Sequence, residues 1–194
     1  MNPIELLRLL HNLIRLGTVH EVDHARARVR VVSGELVTDW LPWLSPRAGT
    51  TRDWSPPTVG EQVLVLSPGG DPAAGAVLTG IYSDTHPAPA DSSTLCRQVM
   101  PDGAVLEYDH EVHHLAATLP GSATLNAQGE IKVTTTAKLT ATAAEGATIN
   151  ADTTINGRLS IVGDSVTHNG TNIGATHKHG GVVSGGSLTG VPSG

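Results

Sequence analysis

Ala-Thr-Leu-Asn-Ala at residues 123–127 returns as Ala-Thr-Ile-Asn-Ala at residues 147–151 and, in shortened form, as Thr-Ile-Asn-Gly at residues 154–157. Eight of the 25 residues from 131 to 155 are Thr, a β-branched residue that favours strands. Between them lie many Ala residues and regularly spaced Ile, Val or Leu. Short strands with small neighbours stack well, so this pattern predicts a β solenoid.

The same half of the chain lacks aromatic side chains. The chain has 194 residues with three Trp, two Tyr and no Phe, and all five aromatic residues lie at or before Tyr108. Large side chains supply most of the burial that offsets the entropy of an ordered chain, so the residues beyond Tyr108 cannot build an ordinary globular core. They carry only a thin aliphatic row, made of Leu125, Ile131, Val133, Leu139, Ile149, Ile155, Leu159 and Ile161.

Three chains wound about one axis would complete this region. They would direct the aliphatic row inward, pair each strand edge with a neighbouring chain and leave Thr and Asn outside, and closure would remove exposed strand edges. We therefore expect a homotrimer with a triple-stranded, intertwined β-helix as its shaft over residues 91–165. A pointed apex is expected over residues 166–194.

An amphipathic helix is predicted at the N-terminus, over residues 1–17. Leu and Ile recur at helical spacing in residues 2–16, Asn2 suits the N-cap, Pro3 suits the first turn and Gly17 ends the pattern. A single helix ahead of a β region either packs on its own domain or docks on a partner or sister chain. Both alternatives stay open at this point.

Alternating strands are predicted between this helix and a Pro-rich hinge at residues 86–90. The clearest is at residues 26–31, where Arg alternates with Ala or Val. Turn clusters rich in Pro, Gly and Ser separate three further predicted strands, at residues 35–40, 61–66 and 76–82. About five short strands are typical of a small barrel. The sequence thus predicts a mainly β protein with a barrel over residues 18–90.

Four segments of this barrel carry a family resemblance: Trp-Leu-Pro-Trp at residues 40–43, Val-Gly-Glu-Gln-Val-Leu-Val at 59–65, Gly-Gly-Asp at 69–71 and Gly-Ala-Val-Leu at 75–78. They resemble the OB-fold domain of the baseplate assembly protein V family, the central spikes of contractile phage tails and R-type pyocins. The resemblance implies a trimer whose OB-fold collar binds the baseplate hub and tail tube proteins. It also implies that the apex faces the outer membrane of the target cell.

His177 and His179 form the sharpest local signal for chemistry. On an extended strand, residues two apart face the same side, so both imidazoles point together while Lys178 points away. No further ligand of the usual kind follows in the chain, but threefold symmetry would bring six imidazole nitrogens to one axis. Zinc sites are almost always tetrahedral, whereas octahedral nitrogen ligation suits Fe²⁺, and nickel and cobalt also accept it.

The family resemblance implies iron at this His-x-His, one Fe²⁺ per trimer with octahedral coordination by six His from three chains. Such an ion is structural, because no coordination position is left for water or substrate. The residues after His179 have no charged side chain. This composition suits an apex that enters hydrocarbon, where charge is costly.

Composition excludes several other functions. The net charge is −6 and Lys and Arg form no run, so nucleic acid is not expected as a partner. A single cysteine, Cys96, is typical of a protein made in a reducing cytoplasm, which the family resemblance implies is that of the bacterial host. The cluster of His110, His113 and His114 with its neighbouring carboxylates is interpreted as a solvated strand, and His168 as a surface residue.

The sequence therefore predicts a non-enzymatic, membrane-piercing central spike in a virion tail or tailocin baseplate. One rival is a trimeric tail-associated adhesin or receptor-binding protein, although the distal half offers no aromatic rings on which sugars could stack. A second rival is a metalloenzyme using His177 and His179, which would need an open coordination position and a nearby general base.

Overall fold

The structure is a computed structural model that describes residues 2–177 together with residues 181 and 185. The chain divides into two compact units, Met1–Gly129 and Glu130–Gly194. The first unit contains one helix, α1, and eight strands, and the described part of the second contains one short hairpin. Within the described residues, no helix has the length and apolar character needed to cross a membrane.

Helix α1 spans Pro3–Asn12. The Asn2 side chain caps it by accepting a hydrogen bond from the Ile4 amide at 3.1 Å, as the sequence predicts. The helix ends five residues before the predicted boundary at residue 17, because residues 14–17 begin strand β1 and pair with β4 instead. A backbone hydrogen bond from Ser67 N to Leu13 O, 2.8 Å long, continues that ladder to the end of the helix. Sheet pairing therefore overrides the apolar helical pattern at this point.

The helix packs on its own domain through a narrow contact. It meets the turn at Pro68–Gly70, where a side chain on Gly70 would overlap the backbone of Leu9. Most of its aliphatic side chains still face solvent, at exposures of 76% for Ile4, 53% for Leu7 and 52% for Leu10. The first of the two alternatives is thus observed, but it buries little of the apolar face.

Five strands form one antiparallel sheet in the order β3-β2-β1-β4-β5. The strands are β1 (Ile14–Asp23), β2 (Arg28–Ser33), β3 (Leu36–Val37), β4 (Gln62–Leu66) and β5 (Ala76–Ile81). The strands predicted at residues 61–66 and 76–82 are confirmed. The strand predicted at residues 35–40 is shorter, since only Leu36 and Val37 pair with β2.

Residues 41–44 close this sheet into a barrel. Leu41 exchanges two backbone hydrogen bonds with Val29, at 2.8 and 2.9 Å. Trp43 then runs parallel to Val77, whose amide donates to Pro42 O and whose carbonyl accepts from Leu44 N, both at 2.8 Å. The Trp-Leu-Pro-Trp segment thus joins β2 to β5, and the five-stranded barrel is the OB-fold that the sequence predicts.

The barrel core is small and aliphatic. Alternate residues of the strands point inward, and seven of them are at most 2% exposed: Val19, Val29, Val31, Leu41, Val63, Val65 and Val77. Six are Val, whose branched side chain suits a pleated surface and a narrow interior. This domain buries its core within one chain.

A three-stranded antiparallel sheet follows the barrel, with the order β6-β7-β8. Its strands are β6 (Leu95–Val99), β7 (Val105–Asp109) and β8 (His114–Thr118). The sequence interpretation assigned these residues to the intertwined shaft, and the structure adds that β7 pairs with β6 and β8 of its own chain. A tight turn between Met100 and Ala104, with Gly103 at φ 88°, lets consecutive strands of the same chain pair.

Residues 107–114 do not form a single strand, contrary to the sequence interpretation. Strand β7 ends at Asp109, whose carboxylate accepts from the Glu111 amide at 2.9 Å and turns the chain. This hydrogen bond lowers the pKa of Asp109 below its ordinary value. His113 adopts a left-handed conformation at φ 56° before β8 begins. His110 and His113 therefore lie in an exposed turn, and His114 is the exposed first residue of β8.

No strand occurs between Thr118 and Thr167, all of whose residues the structure describes. The aliphatic row of this segment faces solvent, with exposures from 55% at Ile131 and Ile155 to 74% at Leu125. A single chain does not form a β-helix here. The intertwined trimeric shaft stays a prediction.

Candidate functional site

A β-hairpin precedes the predicted metal ligands. Strand β9 (Thr167–His168) pairs with β10 (Thr171–Asn172), and Ile173 N donates to Val166 O at 2.7 Å. Asn169 and Gly170 occupy the turn with φ of 47° and 77°. Two left-handed residues are what a two-residue hairpin turn requires, and Asn-Gly is its preferred sequence. The dipeptide was a readable signal for this hairpin that the sequence interpretation missed.

Asn172 fixes the loop that follows the hairpin. Its Oδ1 accepts a hydrogen bond from Gly174 N at 2.8 Å, and its Nδ2 donates to Thr176 Oγ1 at 2.9 Å. Both polar ends of the amide are therefore used, across four residues of chain. This side chain closes residues 172–176 into one turn and sets the position of the Gly174 carbonyl.

The Gly174 carbonyl in turn orients His177. It accepts the His177 backbone amide at 3.2 Å and lies 2.6 Å from His177 Nδ1. A carbonyl oxygen is only an acceptor, so Nδ1 carries the proton in the neutral ring and the lone pair resides on Nε2. Metal-ligating histidines typically donate one ring N–H to a backbone carbonyl in this way, which fixes the tautomer and the ring orientation. His177 therefore fits a metal ligand that binds through Nε2.

His179, the second predicted ligand, lies outside the described residues. Among the residues that the structure does describe, no group of three or more His, Cys, Asp or Glu side chains is arranged to hold a metal. His168, interpreted as a surface residue, lies in β9 opposite Thr171 and is exposed.

A second feature with functional meaning is the solvent-facing aliphatic row of the distal segment. Leu139 is 67% exposed, Ile149 71% and Leu159 60%. Scattered exposed aliphatic residues are common on soluble proteins, but a regular row in a segment without secondary structure is not. Exposed apolar surface of this kind is typical of a region that another chain covers.

The barrel, with its closing segment at residues 41–44, agrees with a known family. Residues 15–82 match the family described as the type VI secretion system/phage-baseplate injector OB domain. The chain belongs to the baseplate assembly protein V family.

The limits of the match coincide with the barrel of this baseplate V protein. They begin one residue inside β1 and end one residue after β5. Residues 15–17, which the sequence interpretation placed in the N-terminal helix, thus belong to the OB domain.

A full-length relative extends the similarity of this baseplate V protein beyond the barrel. The spike protein of Escherichia phage P2 is 44% identical over 133 residues, which cover 69% of this chain. The same alignment covers 63% of the phage P2 protein, so the chain spans less than two thirds of that relative's length.

Proposed function

We propose that this protein is the central spike at the tip of a contractile tail or tailocin baseplate, and that it is a homotrimer that pierces the target-cell outer membrane. The observation that carries the proposal is the solvent-facing aliphatic row between Leu125 and Ile161 in a chain whose barrel is already complete. The barrel needs no sister chain for its core. The distal segment does, and a threefold shaft buries its row.

The two ends of the chain divide the task. The OB domain carries every tryptophan and most of the arginines, which is a composition suited to recognising proteins of the baseplate. After Arg158 only Asp164 and Lys178 are charged. A surface so poor in charge is ill suited to selecting a partner and well suited to crossing hydrocarbon. The role is structural and mechanical, with sheath contraction as the energy source and no catalysis.

His177 and His179 of the three chains would hold one Fe²⁺ on the threefold axis. Bound there, the ion would supply six coordinate bonds that tie the three chains together at the apex. The turn closed by Asn172 presents His177 in the tautomer whose lone pair is on Nε2. The chain thereby contributes a pre-oriented ligand, which lowers the cost of assembling the site.

Two deletions test the division of labour. Particles carrying a chain without residues 165–194 should assemble, because the OB domain is intact, but should kill or infect poorly. A chain without residues 1–90 should be absent from particles. Electron microscopy scores assembly, and plating on target cells scores activity.

Full activity of particles that lack residues 165–194 would assign piercing to another protein. Specific binding of the purified protein to a surface glycan, lost with the distal segment, would instead favour a receptor-binding role.

A further inference from the structure

All three tryptophans of the chain lie within residues 40–54. Two arginines of strand β2 and its preceding turn cover the first of them: the guanidinium carbon of Arg26 is 5.1 Å from the Trp40 ring centroid, and that of Arg30 is 5.9 Å away. Cation–π contacts of this kind stabilise exposed rings by about 0.5–1 kcal/mol. The half-buried Trp40 ring is thus held in place by two guanidinium groups.

These two arginines are themselves anchored. Arg26 Nε lies 2.6 Å from Asp23 Oδ2, a hydrogen bond that lowers the pKa of the Asp23 carboxyl below its ordinary value. Arg30 donates to Thr38 O at 3.0 Å and to Glu21 Oε1 at 3.3 Å. Their charges are largely balanced within the domain. Their contacts order the Trp40 ring, which we call the platform.

A groove lies beside this platform. Its walls are the Trp43 and Trp54 rings, whose centroids are 5.5 Å apart at an interplanar angle of 56°. Arg47 and Arg52 also line it, and its volume is about 470 Å³. Trp54 is 61% exposed, so the larger part of a big apolar ring is left in water. The groove beside the exposed Trp54 ring is large enough to receive an apolar side chain.

The loop that forms the far side of the groove is ordered by its own hydrogen bonds. Asp53 N donates to Arg47 O at 3.0 Å, Ser45 Oγ donates to Asp53 O at 3.1 Å, and Ala48 bridges to Arg52. A preformed loop loses little conformational entropy when a partner binds, which favours affinity. The loop therefore fixes the backbone positions from which the Arg47 and Arg52 side chains extend.

The charges of this region point to an acidic partner. Residues 26–54 contain five Arg and three acidic residues, whereas the whole chain has 12 Lys and Arg against 18 Asp and Glu. Among the described residues, the side chains of Arg47 and Arg52 have no carboxylate in salt-bridge range. Trp and Arg are the residues most enriched in the centres of protein interfaces.

Nucleic acid fits this surface less well than protein. Stable binding of nucleic acid draws on several phosphate contacts, but the groove offers only Arg47 and Arg52, and Asp53 lines it beside them. A protein segment needs only a few carboxylates and one apolar anchor.

We propose that Trp40, Trp54, Arg47 and Arg52 form a docking surface, hereafter the Trp–Arg surface, for an acidic segment of another tail protein. An apolar side chain of that segment fills the groove between Trp43 and Trp54, and its carboxylates pair with Arg47 and Arg52. The identity of the partner as a tail protein rests on the proposed function; the acidic character of the segment does not.

Site-specific photo-cross-linking in producing cells tests this surface in the full-length protein. Trp54 is replaced by p-benzoylphenylalanine, and the matched control places the same group at Tyr82, which is 67% exposed and outside the Trp–Arg surface. After irradiation, mass spectrometry identifies the linked peptide. We expect Trp54 to link to a peptide rich in Asp and Glu that Tyr82 does not reach.

Charge reversal tests the role of the arginines. In the Trp54 cross-linking background, Arg47→Glu with Arg52→Glu should lower the cross-link yield about tenfold, which corresponds to about 1.4 kcal/mol. Arg47→Lys with Arg52→Lys keeps the charge and should retain most of the yield. A cross-link to an acidic segment of a protein that is not a tail protein would support the Trp–Arg surface but contradict the proposed spike function. The Trp–Arg surface itself is overturned by a link to a second copy of this chain, to nucleic acid or to a basic segment, by a yield that charge reversal leaves unchanged, or by no link at Trp54.

Discussion

The barrel and the distal segment are built from similar aliphatic residues but bury them to opposite extents. Val29, Val31 and Val63 in the barrel are fully buried, whereas Val133 in the distal segment is 70% exposed and Val162 is 96% exposed. The barrel strands pair with one another and close on residues 41–44. The distal segment from 119 to 166 has no paired strand.

The difference shows where each region finds the surface that buries its apolar side chains. In the barrel, the inward-facing apolar residues of one strand pack against other strands of the same chain. The free energy gained by burial, about 25 cal/mol per Å² of apolar area, therefore arises within the domain. In the distal segment the row has no counterpart in its own chain. In the proposed trimer, folding of that region is inseparable from association, and its stability depends on protomer concentration.

The largest expected effect concerns this association. We expect a trimer of about three times the 20.0 kDa chain mass, and we expect Leu139→Asp with Ile149→Asp to produce monomers, since buried charges in a shaft core are costly. Multi-angle light scattering measures the change. Thr148→Asp, next to Ile149 but on the opposite side of the alternating pattern, is the matched control and should remain trimeric.

A wild-type monomer at micromolar concentration would refute the shaft. So would a double variant that stays trimeric, because association would then depend on the barrel instead.

The next expected effect is loss of metal. Protein purified without added metal should contain about one iron per three chains by elemental analysis, and His177→Ala with His179→Ala should contain none. Because the barrel has its own core, its unfolding, monitored by tryptophan fluorescence, should not change. His168→Ala is the control and should keep its iron, and iron retained by the double variant would disprove the ligand assignment.

Sequence patterns predicted the barrel better than its edges. Turn clusters marked the predicted strands at residues 61–66 and 76–82, and in the structure these two strands pair with each other. The helix end was misplaced because the Leu and Ile of residues 13–16 satisfy both a helical and a strand pattern, and only the partner strand β4 decides between them. That partner is nearly 50 residues away, beyond the reach of local periodicity.

In the candidate site, too, one residue was predicted from the local sequence and another was not. His177 was predicted from the His-x-His spacing on the assumption of an extended strand, whereas the structure places it after a turn that follows β10. The role of Asn172 depends on where the hairpin turn sends the chain afterwards, which spacing alone does not give.

A smaller effect is expected when the barrel core alone is weakened and the distal segment is left unchanged. Leu41→Ala should lower the free energy of unfolding of the barrel by about 2–5 kcal/mol, through lost burial and a residual cavity. All tryptophans lie in the barrel, so urea unfolding followed by tryptophan fluorescence reports this domain alone. Val37→Ala, at a position 43% exposed, should have a much smaller effect. Loss of the trimer in Leu41→Ala would show that the two regions do not fold independently.

The smallest expected effect concerns Asn172, which touches neither the aliphatic row nor the proposed metal. Asn172→Ala removes the hydrogen bonds to Gly174 N and Thr176 Oγ1 and so releases the carbonyl that orients His177. Loss of such an outer partner typically lowers metal affinity about 10–100-fold. Competition with a ferrous chelator measures this affinity, and ¹⁵N chemical shifts of the His177 ring in metal-free protein report whether Nδ1 still carries the proton. The trimer should persist, because its row lies elsewhere, and Thr171→Ala in the same hairpin is the control. If Asn172→Ala changed neither the affinity nor the tautomer, the turn would have no part in positioning His177. If the protein bound no iron and Asn172→Ala still changed the tautomer, the positioning role would stand but the metal assignment would be wrong.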